Sequence, residues 1–292
     1  MLQQSTIIGQ PNSLISPKLD IETLVDTKLP PSPGGIMRLT TVLRDFNAPT
    51  SRIAEAINYE PSLVTRILRL ANSPIYALEK NIATIQQAIG TVGTVVIHDI
   101  VMMELTSTTF ATAIYNSPNV KKIWKHSLAV ALLSRELSKT LKIRGTEEAF
   151  ICGLLHDIGK IMLLIHDAEG FSTLPEDCSE SEMLRSESER YGYNHEEVGA
   201  LVARRWGLPD EVCLSILHHH DPSQSDQPML VTHIVDVADT IANIRGVGVR
   251  SENESKLTHS ESVMKLGFTE EQMEDAWNIV QENLNEVVKA FV

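Results

Sequence analysis

Histidine and aspartate are the residue types in this chain of 292 residues whose spacing most clearly suggests chemistry. The dipeptide His-Asp occurs four times among ten histidines, so a single pair carries little information. His156-Asp157 differs in context, because it follows the apolar residues 151–155 and precedes Ile-Gly-Lys160. An imidazole, a carboxylate and an amine are therefore expected together where a helix ends. Mixed histidine and carboxylate ligands suit divalent manganese, iron or zinc.

Further candidate ligands lie on other predicted helices that could converge on this pair. Asp236 and Asp239 are one helical turn apart and share a face. Three consecutive histidines cannot all face one site at about 100° per residue, so at most two of His218, His219 and His220 point inward. The remaining candidates are His126 and His195. Helices that each deliver one or two ligands inward build the metal sites of helical bundles.

Each candidate also has a purely structural alternative. His156 and Asp157 could be a pair at a helix C-terminus, where the dipole favours an imidazole. His126 could be a core histidine bonded to a carbonyl, and His195 could cap its helix. A solvent-facing charge is the alternative for Asp239 and Lys160.

The pattern around these residues predicts an all-α protein. After residue 20, apolar positions recur at helical spacing, proline and glycine separate the segments, and strand alternation is scarce. Gly159 is placed to end the helix before it in a left-handed conformation. Residues 167–190 carry eight acidic side chains and are predicted as a solvated loop and an exposed helix. Other helices are predicted at about 95–109, 120–142, 195–206, 209–219, 229–244 and, as a pair, 260–292.

The segments group into four predicted regions. Residues 1–20 read as a flexible polar tail, and residues 21–115 as an N-terminal helical bundle. A soft boundary at Tyr115-Asn116-Ser117-Pro118 leads into a second helical half, residues 116–245, which holds the candidate ligands. Residues 246–292 are predicted as a loop followed by acidic C-terminal helices.

Composition excludes several classes of function. The net charge of −13 argues against nucleic-acid binding and against an anionic membrane surface, since both need clustered Lys and Arg. No continuous apolar run approaches the roughly 20 residues that span a bilayer, so no membrane association is expected. Three widely spaced cysteines form neither a disulfide framework nor a CxxC site, which favours a reducing, cytoplasmic location.

The ordered motifs resemble a known family. Trp124-Lys-His126-Ser127, Gly153-Leu-Leu-His156-Asp157-Ile-Gly-Lys160, His219-His220 and Ala238-Asp239 are similar to the HD superfamily of metal-dependent phosphohydrolases. The N-terminal half, with Leu29-Pro30-Pro31-Ser32-Pro33 and the run from Tyr59 to Ser73, resembles the HDOD subfamily, the HD-related output domain. The resemblance covers about residues 21–245. It implies a helical bundle packed on an HD-like helical half.

The resemblance also implies roles for individual residues. The HD quartet matches His126, His156, Asp157 and Asp239. The positions that hold a second metal in HD-GYP phosphodiesterases match His195, His219 and His220, with Asp157 as the bridge. Lys160 matches a lysine that contacts the substrate phosphate, so Asp157 and Lys160 are the predicted catalytic residues. The implied cofactor is one or two divalent ions (Fe, Mn or Zn).

One departure from the HD-GYP pattern affects the predicted function. After His220 the chain reads Asp-Pro-Ser-Gln-Ser-Asp and lacks a Gly-Tyr-Pro loop, so hydrolysis of cyclic-di-GMP is not expected. We therefore predict a bacterial regulatory protein with a divalent metal site. Its expected partner is a signalling protein or a phosphate-containing small ligand. The alternative is a metal-dependent phosphohydrolase that acts on a nucleotide or another phosphate ester.

Overall fold

The computed structural model describes residues 20–28, 42, 48–72, 82–142, 146–175, 178–224, 230–248, 257 and 260–291. Every regular element within these ranges is a helix, and the all-α prediction is confirmed. The Pro-rich motif at 29–33 and most of the predicted loop at 246–260 lie outside the described residues. The four predicted region boundaries remain predictions.

The helices of the described part before residue 117 form the first group. They are α1 (Ile21–Lys28), α2 (Thr50–Asn58), α3 (Pro61–Ala71), α4 (Ile85–Thr109) and α5 (Ala111–Asn116). Helix α4 is interrupted at Gly93, whose φ of 87° and ψ of 162° are not helical. The helix predicted at about 95–109 is the part of α4 after this interruption, and glycine adopts a positive φ without a steric cost.

The second group begins at residue 118 and carries the candidate ligands. Its helices are α6 (Pro118–Thr140), α7 (Thr146–Leu155), α8 (Ile158–His166), α9 (Ala168–Phe171), α10 (Glu180–Tyr191), α11 (His195–Arg205), α12 (Asp210–Leu217) and α13 (Leu230–Ile244). A short 3-10 turn, Pro222–Gln224, precedes α13. Two C-terminal helices follow, α14 (Glu261–Leu266) and α15 (Glu270–Phe291).

Helix α6 is the centre of the fold. The Ser117 hydroxyl accepts a hydrogen bond from the Val120 backbone N–H, and Pro118 occupies the first turn, where its missing N–H costs nothing. Trp124 and Leu128 are fully buried on this helix. Because α5, α7, α13 and α15 all pack against it, α6 supports both the N-terminal helices and the candidate site.

Side chains from the N-terminal helices contact the second group. The rings of Phe110 and Trp206 lie 6.2 Å apart, and Arg205 donates a 2.9 Å hydrogen bond to Asp26 of α1. The contacts of Phe110 with Trp206 and of Arg205 with Asp26 join the two helical groups. Within the first group, the Asn72 amide donates to the Leu68 carbonyl and pairs with both backbone groups of Ile82.

Three glycines bring the ligand-bearing helices together. A Cβ on Gly159 would lie 1.9 Å from the carbonyl oxygen of His195, and one on Gly153 would lie 2.9 Å from the Cα of Ala131. A Cβ on Gly199 would lie 2.9 Å from Ile216. The prediction that Gly159 ends a helix in a left-handed conformation was wrong, because Gly159 is the second residue of α8 and lacks a positive φ. Its role is close helix packing.

The acidic segment 167–190 also differs from its prediction. Helix α10 begins within it and ends at Tyr191, and Met183, Glu187 and Tyr191 on this helix are buried rather than exposed. The buried face of α10 was not predicted, because acidic residues lie on both sides of it along the sequence. One of the buried residues is itself acidic, and it lies at the candidate site.

Two stretches reach a membrane-spanning length by size and apolar composition, although none was expected. They are Ile85–Thr109 and Glu148–His166. The protein itself buries 53% of the first window and 83% of the second. The second stretch includes the turn at His156 and Asp157. Core helices pass the same test of length and composition, so these stretches are weak evidence for a membrane span.

Replacing Gly159 with alanine should destabilise the protein. The added methyl group would overlap the His195 carbonyl, and overpacking of this kind costs about 1–3 kcal/mol. Gly90→Ala is the matched control, because Gly90 lies in a helix with no atom within 4 Å of an added Cβ. That control should stabilise by about 0.5–1 kcal/mol. Urea unfolding measures both, and equal effects of the two changes would contradict the packing role.

Candidate metal centre

The predicted ligands come from five separate parts of the second helical group and meet around one carboxylate. Asp157 lies in the turn between α7 and α8 and is 1% exposed. The other predicted ligands are His126 from α6, His156 from the same turn, His195 from α11, His219 and His220 from the turns after α12, and Asp239 from α13. The structure therefore brings together all seven residues that the family resemblance matched to metal ligands.

One side of Asp157 faces His126, His156 and Asp239. The Asp157 Oδ2 atom lies 3.9 Å from His126 Nε2 and 3.6 Å from His156 Nε2. Asp239 Oδ1 lies 2.8 Å from His126 Nε2 and 3.8 Å from His156 Nε2. Asn243 donates a 2.8 Å hydrogen bond to the same Asp239 oxygen and fixes its position.

The other side of Asp157 faces the remaining histidines. Its Oδ1 atom lies 3.6 Å from His195 Nε2 and 3.7 Å from His219 Nε2. His220 Nε2 lies 3.2 Å from His195 Nε2. On each side, histidine and Asp157 ligand atoms lie within 4.8 Å of one another, which is compact enough to hold an ion. Asp157 is the residue that the two groups share.

The second ring nitrogen of each principal histidine is held by an acceptor. Backbone carbonyls accept from Nδ1 of His126, His156 and His219 at 2.6, 2.8 and 2.7 Å, and these carbonyls belong to Val247, Gly153 and Ile216. A carboxylate oxygen of Glu187 accepts from His195 Nδ1 at 2.7 Å. Because Nδ1 donates to these acceptors, Nε2 is the ring nitrogen that faces the central carboxylates, as in a metal-ligating histidine.

Three glutamates that the sequence did not single out surround the His195 side. Glu187 Oε2 accepts from both Nδ1 and the backbone N–H of His195, and its side chain is fully buried. Glu196 accepts from the His220 backbone N–H at 3.2 Å, and Glu180 Oε1 lies 3.2 Å from His220 Nδ1. Glu180 and Glu187 are two turns apart on α10, so one face of that helix supplies both. The seven-residue spacing of these two acidic residues is the sequence signal from which they could have been predicted to share a face.

Lys160 pairs with the central carboxylate. Its Nζ lies 2.8 Å from both oxygens of Asp157, and its side chain is 7% exposed. Burial alone would raise the pKa of Asp157, but Lys160 and then His156 hold that pKa well below its usual range. Asp157 is therefore an anion at neutral pH.

Burial also shifts the pKa values of three other groups at the site. It lowers the pKa of His156 and of His220 to about 3, so both imidazoles are neutral ligands at pH 7. Burial raises the pKa of Glu187 to about 7, in spite of Lys160 and the bond from the His195 backbone. His156 Nε2 and His219 Nε2 are buried without a hydrogen-bond partner.

These unpartnered atoms test whether a metal fits here. Buried polar atoms are nearly always hydrogen-bonded, so two imidazole nitrogens that face Asp157 without a partner indicate a place for a ligand. Neutral imidazoles and an anionic carboxylate are the donors that divalent manganese, iron or zinc takes. The residues present therefore fit a divalent metal, and Asp157 could contact two ions.

His218 and Asp236 do not join the two groups. His218 ends α12 as its C-terminal cap and is half-buried. Asp236 precedes Asp239 by almost one turn of α13, and Asp239 is the one in contact with His126. His195 opens α11, but Asn194 is the N-cap, because its side chain accepts from Glu197 N–H. Helix capping therefore does not explain why His195 is buried.

Comparison with known proteins identifies the family. The sequence matches the profile of the HDOD domain over residues 29–222, which is more than half of the chain. The chain belongs to the HDOD family. An uncharacterised protein of Treponema pallidum is 24% identical over 197 residues, which are 66% of this chain and 38% of that protein. Ribonuclease Y of Thermus thermophilus is 28% identical over 167 residues, 56% of this chain and 24% of the enzyme.

Solved structures share the fold. An HDOD protein of unknown function from Geobacter sulfurreducens superposes with a TM-score of 0.73 at 22% identity, covering 93% of this chain and 98% of that one. A candidate phosphohydrolase from Shewanella amazonensis gives a TM-score of 0.71 at 22% identity with the same coverage. The chain thus spans nearly the full length of these structures, but only 38% and 24% of the two curated relatives named above.

Replacing Glu187 with glutamine should weaken metal binding on the His195 side. The amide keeps an acceptor for His195 but removes the charge that makes the imidazole a stronger ligand, and such outer contacts contribute about 10–100-fold in affinity. Glu189→Gln is the matched control on α10, because its side chain is 71% exposed. Calorimetric titration with Zn²⁺ at about pH 8, above the pKa of Glu187, measures both. Equal affinities for the two variants would contradict the assignment.

Metal binding should weaken as the pH falls. Although burial opposes it, Asp239 raises the pKa of His126, and Asp157 with Glu196 raises the pKa of His219. Protonated histidines must release a proton before they bind a metal, so the apparent affinity is lost on acidification. Titrations at about pH 8 and about pH 6 should show this loss, with proton release into the buffer. An affinity independent of pH would rule out these two histidines as ligands.

Proposed function

We propose that this HDOD protein is a bacterial signal-transduction protein whose second helical half holds a divalent metal centre. The observation that carries the proposal is the convergence of four histidine Nε2 atoms on the two oxygens of Asp157. A structural salt bridge needs one partner for a carboxylate. Four imidazoles around one buried carboxylate are better explained by shared metal coordination.

Relatives support the regulatory part of the proposal. A structure from Marinobacter aquaeolei described as a candidate signal-transduction protein has a TM-score of 0.72 at 18% identity, covering 92% of this chain and 61% of that one. Its name describes that protein, and the likeness concerns the fold. We propose a cytoplasmic location and a partner that is a signalling protein or a phosphate-containing small ligand, without nucleic acid or membrane. The net charge of −13 favours that choice.

A phosphohydrolase is the second candidate function, and one observation favours it. Lys160 lies against the carboxylate at the centre of the ligand set, where its ammonium could face the phosphate of an ester. A bound divalent ion would supply a hydroxide nucleophile by lowering the pKa of a coordinated water to about 7. Asp157 would orient the reacting groups as a fixed anion, and Lys160 would offset charge on a phosphate oxygen.

Cyclic-di-GMP is not the proposed substrate. The segment after His220 folds on itself: Ser223 and Gln224 donate hydrogen bonds of 2.5 and 2.8 Å to the carboxylate of Asp221. From Asp221 to Gln227 the sequence has no aromatic side chain to stack a guanine and no Lys or Arg to bind a phosphate. This segment therefore offers no side chain that could orient a cyclic dinucleotide for attack.

Asp157→Asn is the direct test of the metal centre. A neutral amide replaces the anion that both ligand groups share, so metal content after reconstitution with Mn²⁺, Fe²⁺ or Zn²⁺ should fall to the background of an untreated blank. Asp275→Asn, an exposed change on α15, is the control and should retain the metal. Elemental analysis of purified protein measures both. Unchanged metal content in Asp157→Asn would contradict the proposal.

Turnover assays separate the two candidate functions. Metal-loaded protein is assayed with cyclic-di-GMP and with p-nitrophenyl phosphate as a general phosphomonoester, and Asp157→Asn is the control. We expect little or no turnover of cyclic-di-GMP. Turnover of p-nitrophenyl phosphate that the substitution abolishes would favour the phosphohydrolase. Rapid cyclic-di-GMP hydrolysis that the substitution abolishes would make the protein a phosphodiesterase and overturn our preference.

A further inference from the structure

The C-terminal end of α13 contacts two predicted metal ligands on the same side of Asp157. Asn243, in the last turn of the helix, donates a 2.8 Å hydrogen bond from its amide to Oδ1 of Asp239. The backbone carbonyl of Val247, just after the helix, accepts a 2.6 Å hydrogen bond from Nδ1 of His126. One helix end therefore holds a carboxylate and an imidazole that lie 2.8 Å apart.

A glycine in the left-handed conformation shapes this turn, residues 242–247, which we call the α13 cap. Gly246 has a φ of 69°. Its N–H donates to the Asn243 carbonyl at 3.1 Å, and the Val247 N–H donates to the Ala242 carbonyl at 2.9 Å. These are the two hydrogen bonds of a Schellman motif, in which glycine takes the positive φ that strains other residues. The motif sets the direction of the next carbonyl, that of Val247.

Asn243 joins the two ligand contacts of the α13 cap. Its backbone carbonyl accepts from Gly246, its side chain bonds Asp239, and the whole residue is buried. A change in the backbone of the cap therefore acts on the partner of His126 and on a residue that holds Asp239. The cap and these two ligands form one hydrogen-bonded unit.

The α13 cap is also tied to the C-terminal helix α15. Arg245, in the same turn, forms an ion pair with Glu274 of α15. Both α13 and α15 lie after residue 222, where the match to the HDOD profile ends. His126 lies within the matched residues, but it takes its Nδ1 partner from the part of the chain that follows them.

We propose that Val247 is a positioning residue of the metal centre, whose backbone carbonyl orients His126 because Gly246 holds the left-handed conformation. A residue that is strained at this φ turns the carbonyl away from Nδ1 and frees the imidazole to rotate. Metal affinity then falls on the His126 side, whereas the His195 side, which Glu187 supports, retains it. The proposal rests on the proposed metal centre and states what one of its ligands depends on.

Another helix of the second group ends in the same way and provides a matched control. Gly207 follows α11 with a φ of 67°, and its turn contains the same two Schellman bonds. It lies at the opposite end of α11 from the ligand His195. No atom lies within 4 Å of a Cβ added to Gly207 or to Gly246. Alanine therefore meets the same backbone strain and no steric overlap at either position.

Gly246→Ala is the test, and the metal-free protein gives its first readout. Long-range proton–nitrogen NMR should show a shift of the His126 Nδ1 signal, because that nitrogen loses its 2.6 Å acceptor. The Nδ1 signal of His156, which has a separate backbone partner, should stay in place. Gly207→Ala should leave both signals unchanged. A His126 signal that Gly246→Ala does not move would overturn the inference.

The second readout is Zn²⁺ binding at the two sides of Asp157. The same NMR experiment, with Zn²⁺ buffered by a chelator, follows Nε2 of His126 and of His195 in one sample. Gly246→Ala should raise the free Zn²⁺ needed for the His126 change by about tenfold, as loss of a contact that orients a ligand does. The His195 transition should remain at its original concentration. Equal weakening at both histidines would indicate general destabilisation and contradict the positioning role.

Gly246→Asn separates the conformation of the α13 cap from the mere presence of glycine. Asparagine visits the left-handed region more readily than alanine does. The asparagine variant should therefore recover most of the Zn²⁺ affinity at His126 and the original Nδ1 signal. An asparagine variant that binds as weakly as Gly246→Ala would contradict the role assigned to the left-handed conformation.

The positioning role and the metal centre can fail separately. If Zn²⁺ leaves the Nε2 signals of the unsubstituted protein unchanged, the metal centre is wrong, while a shifted His126 Nδ1 signal in metal-free Gly246→Ala still supports orientation by Val247. If the unsubstituted protein binds Zn²⁺ but Gly246→Ala changes neither readout at His126, the metal centre stands and the positioning role is wrong.

Discussion

The structure depends on one constraint, the close approach of ligand-bearing helices around the carboxylate of Asp157. That carboxylate is fully buried and ionised, a state that is costly unless positive or polar groups compensate it. Lys160 and the surrounding histidines provide the compensation, and each must come within about 4 Å. Such distances require backbones nearly in contact, which Gly153, Gly159 and Gly199 permit. The placement of the ligands around Asp157 therefore depends on these three glycines.

The two sides of Asp157 are not equivalent. Backbone carbonyls hold His126 and His156, whereas a buried carboxylate holds His195. A carbonyl fixes a ring by the local fold, but Glu187 reaches His195 from helix α10. Because Glu187 accepts from both Nδ1 and the backbone N–H of His195, the position of that ring depends on how α10 packs.

Much of the fold could be predicted from sequence, since helical periodicity and the break at Gly93 depend on local patterns. The predicted ligands were also brought together, because their spacing along the chain matches the HD pattern. The role of Gly159 could not be predicted, since a glycine looks alike at a helix end and at a helix contact. Glu187 was missed because its burial depends on how α10 packs, and its acidic neighbours conceal that packing.

The most direct test of the account is the tautomeric state of the site histidines. Long-range proton–nitrogen NMR of the imidazole rings compares metal-free and Zn²⁺-loaded protein. We predict that Nδ1 carries the proton in His126, His156, His195 and His219 near pH 8, and that Zn²⁺ shifts the Nε2 signals of both groups. A protonated Nε2 in the Zn²⁺-loaded protein, or Nε2 signals that Zn²⁺ leaves unchanged, would contradict a metal centre built around Asp157.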